Sequence, residues 1–168
     1  MSFLNRFQGT TDFFCFQEVF DLERYRPTKH PNSWRVPDLY PRLREQLDGF
    51  EGFLSNPYTS FGERLALFAR SLNISDSGEI ALCDDKEIEI EGRRGSFGSR
   101  LQWVTVKRPD NSFTVANVHG IWLPSGKGDT SERMKQSRRI EVFSKRKTVQ
   151  RYFVAISICF RIPEVSES

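Results

Sequence analysis

Two short polar groups interrupt apolar segments of this sequence and carry residue types suited to metal and phosphate chemistry. Gln17 and Glu18 stand near the end of the run FFCFQEVF, residues 13–20. A carboxylate beside buried apolar residues is costly unless it is paired or binds a cation, and Mg²⁺ is commonly held by one or two carboxylates together with water. Glu18 is therefore either the point where a strand enters solvent or a Mg²⁺ ligand.

Asn117 and His119 form the second group, in the segment TVANVHG at residues 114–120. Because they are two positions apart, both side chains leave the same face of a strand, which is otherwise apolar. An imidazole on that face could hold a non-bridging phosphate oxygen or supply a proton beside a metal ion. A histidine satisfied by packing is the alternative, and the residues alone leave both interpretations open.

Strands are needed to position these two groups, and the local patterns predict them. The continuous apolar run at 13–20 predicts a strand buried on both faces. The turn residues PDNS at 109–112 predict a hairpin between a strand at 100–108 and a strand at 113–122. Alternation along the second of these strands places the following residues on one face: Phe113, Val115, Asn117 and His119.

Further patterns predict the remaining elements. A helix closed by Gly9 is expected at residues 2–8, a helix capped by Asp38 at 38–47, and a strand at 63–70. A turn at 75–78 should precede short strands around 80–82 and 87–91. After the hairpin, a helix should begin at Glu132 and end between 145 and 148, with these residues at three-residue spacing: Met134, Ser137, Ile140 and Phe143.

Length and composition indicate one soluble domain with a single core. The 168 residues carry a net charge of +3, and no apolar run approaches the roughly 18 to 20 residues of a membrane span. The first residues do not follow the pattern of a secretory signal. Cys15, Cys83 and Cys159 are far apart and embedded among apolar residues, which favours buried thiols in a reducing, cytoplasmic compartment.

Basic residues are concentrated between Arg133 and Arg151, where Glu141 is the only acidic residue. Such a stripe can meet the phosphates of a nucleic acid, or it can be an ordinary solvated helix face. Both interpretations stay open at the level of the sequence.

Three segments, DFFCFQEVF, ANVHGIW and GDTSERMKQSRRIEVF, resemble in that order the motifs of the endonuclease/exonuclease/phosphatase superfamily, over about residues 1–146. The resemblance implies an α+β fold that is part of a four-layer α/β/β/α sandwich of the deoxyribonuclease I type. It also implies a Mg²⁺-dependent phosphodiester or phosphomonoester hydrolase that acts on a phosphate-containing substrate. Mn²⁺ is the alternative metal, and a nucleic acid is one candidate substrate.

The same resemblance assigns roles to individual residues. Glu18 matches the metal ligand of the family, and His119 matches the catalytic histidine that contacts the scissile phosphate. Gln17, Asn117 and Trp122 are expected to bind or wall the substrate. The Arg-x-x-Gln pattern of Arg133 and Gln136 matches residues that brace the loop after the histidine strand.

Other motifs of the family are absent from this sequence. The family has an earlier strand that carries an Asn, and two later motifs, Gly-Asp-x-Asn and Ser-Asp-His, whereas no Asp follows Asp129 and no Gly follows Gly128. We therefore expect a partial domain at 1–148, incomplete at both ends, and an atypical tail at 149–168, as a truncated or frame-shifted reading frame would produce.

Such a copy should have little or no activity alone, because phosphoryl transfer depends on positioned charges. The alternatives are a non-catalytic module that binds phosphate or nucleic acid, and a product with no function of its own. The loops at 21–37 and 123–128 carry no signature of a particular substrate, and the sequence does not indicate an oligomeric state.

Overall fold

The computed structural model of the chain describes residues 3–21, 36, 38–70, 72–90, 93–121, 129–147 and 152–156. Within these ranges the chain forms three helices and seven strands. In chain order they are α1 (Phe3–Phe7), β1 (Phe13–Val19), α2 (Leu39–Gln46), β2 (Phe50–Leu54), β3 (Arg64–Arg70), β4 (Ile74–Ile90), β5 (Arg93–Lys107), β6 (Ser112–His119), α3 (Ser131–Lys147) and β7 (Tyr152–Ile156).

The described strands form two sheets. The first sheet has the order β1-β3-β2 and is antiparallel, and the second has the order β4-β5-β6-β7. In the second sheet β7 runs parallel to β6, with Phe113 opposite Tyr152 and Asn117 opposite Ile156. Residues 152–156 therefore add a strand to this sheet, although they lie within the predicted tail at 149–168.

Three apolar clusters show how the layers are stacked. One fills the space between the first sheet and the helices α1 and α2, a second lies between the two sheets, and a third lies between the second sheet and α3. This is the four-layer α/β/β/α arrangement expected of the deoxyribonuclease I type. Phe68 and Leu43 belong to the cluster under the helices α1 and α2, and Leu67 and Val115 belong to the cluster between the sheets. Leu101 and Phe143 belong to the cluster under α3.

The faces predicted for the hairpin strand are confirmed. Val115 packs between the two sheets with Phe113 against the same cluster, whereas Ala116 and Val118 pack on the α3 side. Since side chains alternate along a strand, Asn117 also points between the sheets, where its amide donates hydrogen bonds to Phe16 and Ala66 of the first sheet. The predicted strand at 63–70 is also confirmed, and it is the central strand of the first sheet.

The predicted turn at residues 75–78 is wrong, whereas the strands predicted around 80–82 and 87–91 are confirmed as parts of one longer strand. Strand β4 is continuous from Ile74 to Ile90 and pairs with β5, with irregular register at three points. Gly78 does not turn the chain but makes room for the ring of Trp103, since a Cβ on Gly78 would lie 2.7 Å from Trp103 Cζ2. The cross-strand packing of an aromatic ring, which a local pattern cannot report, explains this glycine.

Substitution of Gly78 by Ala should lower the free energy of unfolding by about 1 to 3 kcal/mol, because the new methyl group meets the Trp103 indole. Urea denaturation followed by far-UV circular dichroism measures the loss. Gly9→Ala is the matched control, since a Cβ on Gly9 has nothing within 4 Å. Equal stability of the two variants would contradict the packing role of Gly78.

The range of helix α3 agrees with the prediction, but its buried side differs. Gln136 and Phe143 are buried with Ile140 packed between the layers, whereas Met134 is 46% exposed. A strict three-residue spacing drifts around a helix of 3.6 residues per turn, so Met134 leaves the buried face. The Thr130 hydroxyl accepts a hydrogen bond from the Arg133 N–H at 3.3 Å and caps the helix.

Helix α2 also begins where the sequence predicts, but without the predicted cap. The Asp38 side chain makes no capping hydrogen bond and instead pairs with Arg42 at 2.8 Å. This pairing holds the pKa of Asp38 below its usual value. A salt bridge one helical turn away has therefore replaced the capping bond.

The described cysteines are buried, as the sequence predicts. Burial raises the pKa of the Cys15 thiol to about 12, so the reactive thiolate is disfavoured there, and Cys83 is also buried. Cys159 lies outside the described residues. Among the helices that the structure describes, none has both the length and the apolar character to cross a membrane.

Candidate functional site

Glu18 lies at an irregular point of β1. The register with β3 shifts between Phe16 and Val19, and Glu18 has a φ of 55°, the one positive φ of a non-glycine residue within the described ranges. A side chain in this left-handed region costs of order 1 to 3 kcal/mol and is found most often where function requires it. The bulge presents a carboxylate that is 37% exposed near the end of a strand whose other residues are buried or partly buried.

His119 ends β6 and faces this carboxylate. Its Nε2 lies 3.4 Å from Glu18 Oε1, and the imidazole side chain is only 15% exposed. The Ser99 hydroxyl donates to the His119 carbonyl oxygen at 2.5 Å and fixes the strand end. His119 Nδ1 is buried and has no hydrogen-bond partner among the described residues. The two residues singled out by the sequence therefore come together in space.

Gln17 and Asn117 connect the two strands that carry Glu18 and His119. The Gln17 Nε2 donates to the Val118 carbonyl oxygen of β6. In return, Asn117 Nδ2 donates to the carbonyl oxygens of Phe16 at 2.9 Å and Ala66 at 3.2 Å, in the first sheet. These bonds cross from sheet to sheet immediately before the bulge, so they fix the position of Glu18 relative to His119.

This bracing role was not part of the prediction for these two residues. Both were expected to bind substrate, and Asn117 is fully buried, with 0% of its surface exposed. Their contact with substrate stays a prediction, whereas their bonds to the backbone are observed. Trp122, the third residue expected to contact substrate, lies outside the described residues.

The predicted brace after the histidine strand is confirmed for Gln136. Its Oε1 accepts a hydrogen bond from the N–H of Ile121 at 3.2 Å, and the Gln136 side chain also borders Gly120. Helix α3 thereby holds the chain immediately after His119. Arg133 is partly buried in the first turn of the same helix, and its N–H is engaged by the cap.

Tyr58 belongs to the site and has no recognisable signal in the sequence. It lies between β2 and β3, is 2% exposed, and its hydroxyl accepts a hydrogen bond from the Glu18 N–H at 3.1 Å. Its ring is stacked on the His119 ring, with 5.0 Å between centroids and an angle of 25° between planes. Only tertiary structure brings Tyr58 to these two partners.

The donors present fit Mg²⁺ bound through one protein carboxylate. Within the described ranges, no group of three or more His, Cys, Asp and Glu residues is arranged to hold a metal ion. Mg²⁺ nevertheless suits such a site, because it retains several waters and often binds through one or two carboxylates plus substrate phosphate. The Glu18 carboxylate, 37% exposed, is the residue that would supply that oxygen ligand.

Comparisons with known proteins agree with this architecture. No protein-family model matches the sequence, and no curated protein matches it. Among solved structures, an endonuclease/exonuclease/phosphatase from Bacteroides vulgatus superimposes with a TM-score of 0.63 at 18% identity, covering 92% of this chain and 53% of that one. A family protein from Bacteroides thetaiotaomicron gives a TM-score of 0.57 at 16% identity, with coverages of 92% and 50%.

A third similar structure is a mannosyl-6-phosphatase from Bacteroides thetaiotaomicron, with a TM-score of 0.59 at 18% identity, and coverages of 91% of this chain and 52% of that one. The chain thus spans about half the length of each of these solved structures. At such low identity the likeness establishes the fold. The chain has the deoxyribonuclease I-like fold of the endonuclease/exonuclease/phosphatase proteins, over about half of their length.

Proposed function

We propose that this chain carries the Glu18 and His119 part of a Mg²⁺-dependent phosphoester hydrolase. The observation that supports this proposal best is the pair itself: a carboxylate held at a bulge with φ 55°, and an imidazole nitrogen 3.4 Å from it. Both lie at strand ends in a fold shared with phosphoesterases. A strained backbone of this kind is a recurrent feature of active sites, which supports a functional role for Glu18.

In this proposal Glu18 supplies the carboxylate oxygen that holds the metal. The chemistry that a Mg²⁺ ion held by Glu18 would supply is polarisation of the phosphate and stabilisation of the charge on the leaving oxygen. His119, with a proton on Nε2, donates a hydrogen bond to a non-bridging phosphate oxygen beside Glu18. The small exposed fraction of His119 limits the water that competes for this bond.

Gln17 and Asn117 preserve the distance between these two groups through their bonds to Val118, Phe16 and Ala66. A catalytic arrangement depends on such fixed positions, since small displacements lower the rate strongly. Contacts of Gln17, Asn117 and Trp122 with the substrate are a further part of the proposal. A phosphomonoester is the first substrate class to test, because one structure of the same fold is a mannosyl-6-phosphatase.

The test measures hydrolysis of p-nitrophenyl phosphate and bis(p-nitrophenyl) phosphate by the purified chain, with Mg²⁺ or Mn²⁺ and after chelation by EDTA. Turnover that requires the metal, and returns when metal is restored, supports the proposal. Paramagnetic broadening of the His119 signals by Mn²⁺ gives a second readout that does not need turnover. Failure of both the metal-dependent turnover and the broadening would contradict the proposed site.

A second candidate function is favoured by the outer surface of α3. Lys135, Arg138 and Arg146 are exposed there, and the acidic Glu141 is engaged by Lys145 at 2.5 Å. An excess of exposed positive charge along one helix fits the phosphate backbone of a nucleic acid. In that function the chain binds a polyanion and does not hydrolyse it.

Titration with a fluorescent oligonucleotide separates the two functions. A binding module should show affinity that falls steeply as salt rises, with no metal-dependent turnover. Metal-dependent turnover with weak, salt-insensitive binding favours the hydrolase.

A further inference from the structure

We infer that Tyr58 is a positioning residue that sets the geometry of both Glu18 and His119. The inference rests on the hydrolase function proposed above, because it concerns the same pair. Tyr58 is not in the motifs that point to this function, and it touches both members of the pair through different parts of its side chain. Tyr58 thus fixes both the backbone at Glu18 and the plane of the His119 imidazole.

The hydroxyl of Tyr58 acts on Glu18. Its oxygen accepts the Glu18 N–H at 3.1 Å, at the point where the bulge interrupts the register of β1 with β3. A backbone donor inside a folded protein requires such a partner, particularly where the backbone adopts an unfavourable conformation. The bond therefore helps to hold Glu18 at a φ of 55°, which is the conformation that presents its carboxylate next to His119.

The ring of Tyr58 acts on His119. Its plane lies 25° from the imidazole plane, with 5.0 Å between the centroids. Among the described residues Nδ1 of His119 has no hydrogen-bond partner that could orient the ring. Histidines at functional sites are commonly oriented by a bond to the nitrogen that does not react. Here the stacked aromatic ring takes over that orienting role.

The segment that carries Tyr58 is fastened to the second sheet. The Glu79 carboxylate accepts hydrogen bonds from the Asn56 backbone N–H at 2.7 Å and from its side-chain amide at 2.6 Å. Arg100 donates to Glu79 at 3.1 Å and to the Pro57 carbonyl oxygen at 3.2 Å. The two residues before Tyr58 are consequently fixed by side chains of β4 and β5.

Through its backbone, Tyr58 also bonds to β5 and to the residue that precedes β3. Its N–H donates to the Glu63 carbonyl oxygen at 2.9 Å, and its carbonyl oxygen accepts the Gly98 N–H at 2.6 Å. With 2% of its surface exposed, the side chain has little freedom to leave its position. Because Tyr58 is itself held in place, its side chain can fix the positions of Glu18 and His119 at the more exposed edge of the sandwich.

Two substitutions separate the two contacts. Tyr58→Phe removes the hydroxyl and keeps the ring, so it should weaken Mn²⁺ binding by about 10-fold, as loss of a residue that supports a metal ligand does. It should leave the His119 ring signals at their wild-type positions. Tyr58→Leu also removes the aromatic ring, so the His119 protons should lose the upfield shift that a stacked ring produces.

The experiment is NMR of the full chain with histidines labelled, first without metal and then during titration with Mn²⁺. The chain has two histidines, His30 and His119, and a His119→Gln variant assigns their signals. Tyr40→Phe is the matched control, since Tyr40 is a partly buried tyrosine packed on Phe68 in a different cluster. Circular dichroism of each variant verifies that it is folded.

The expected pattern is a weakened Mn²⁺ affinity in Tyr58→Phe with unchanged His119 signals, and shifted His119 signals in Tyr58→Leu. A role in stability alone would lower the melting temperature of both variants without either change, and this result would overturn the inference. If Tyr58→Leu does not fold, Tyr58→Phe decides: affinity within twofold of the Tyr40→Phe control overturns the inference.

The experiment also distinguishes failure of the Tyr58 inference from failure of the proposed metal site. If Mn²⁺ does not broaden His119 even in the wild-type chain, the metal site fails, yet the metal-free His119 signals still decide whether Tyr58 orients the ring. Unchanged signals in a folded Tyr58→Leu variant would then overturn the inference as well.

Discussion

Replacement of Glu18 by Gln should lower Mn²⁺ affinity by at least about 100-fold, and it should lower by the same factor whatever metal-dependent hydrolysis the partial domain retains. Loss of a residue that merely supports a metal ligand already costs about 10- to 100-fold, so loss of the ligand charge itself should cost no less. Gln retains the size of the side chain and the backbone N–H that donates to Tyr58. The substitution therefore removes the charge and leaves the contacts of the bulge in place.

Mn²⁺ titration and hydrolysis of p-nitrophenyl phosphate measure the two effects. The control is Glu45→Gln, which removes an equal charge from the exposed side of α2. If both variants bind Mn²⁺ as the wild-type chain does, Glu18 does not hold the metal. If Glu18→Gln loses metal binding alone while hydrolysis persists, the observed turnover belongs to a different site.

The elements that position this site could be predicted where a local pattern determines them. β1, β3 and the hairpin strand β6 follow from apolar runs and turn residues, because burial on one or both faces leaves a period in the sequence. β4 was predicted only in part, because the pattern of its first residues indicates a turn, whereas Gly78 makes room for the ring of Trp103 on the neighbouring strand. The need for a glycine at position 78 comes from a contact between two strands, so the sequence around this position does not reveal it.

The residues of the site also divide into those that local sequence indicates and those that only tertiary contacts reveal. Glu18 and His119 stand at strand ends with unusual residue types, and the order of the motifs connects them, so their proximity could be anticipated. The partners of Gln17 and Asn117 are backbone carbonyl groups on distant strands, which have no residue type to recognise. Tyr58 was missed for a related reason, since a tyrosine in a turn-rich segment is usually a surface residue.

The buried amide of Asn117 should be the most sensitive position for stability. Asn117→Asp is expected to lower the free energy of unfolding at neutral pH by about 3 to 5 kcal/mol, because a carboxylate would face the carbonyl oxygens of Phe16 and Ala66 without a donor. Asn117→Ala leaves the same two carbonyl groups without this partner and should cost about 2 to 4 kcal/mol.

The pH dependence of the free energy of unfolding distinguishes Asn117→Asp from Asn117→Ala. Burial next to two carbonyl oxygens raises the pKa of the introduced carboxyl group above its unfolded value, so the folded state binds the proton more tightly. The destabilisation should therefore be smallest below about pH 4, near the unfolded pKa, and should grow as the pH rises through the folded pKa. The Ala variant carries no titratable group at this position and should show no such additional slope relative to the wild-type chain.

Urea denaturation between pH 4 and pH 8 measures both effects, and Asn111→Asp in the exposed turn of the hairpin is the matched control. That control should change stability by no more than about 0.5 kcal/mol, as surface substitutions usually do. Equal stability of Asn117→Asp and Asn111→Asp would show that the bonds between the sheets contribute little. A large loss for Asn117 instead would mean that the bond which holds Phe16, two residues before Glu18, stabilises the fold and positions the site at once.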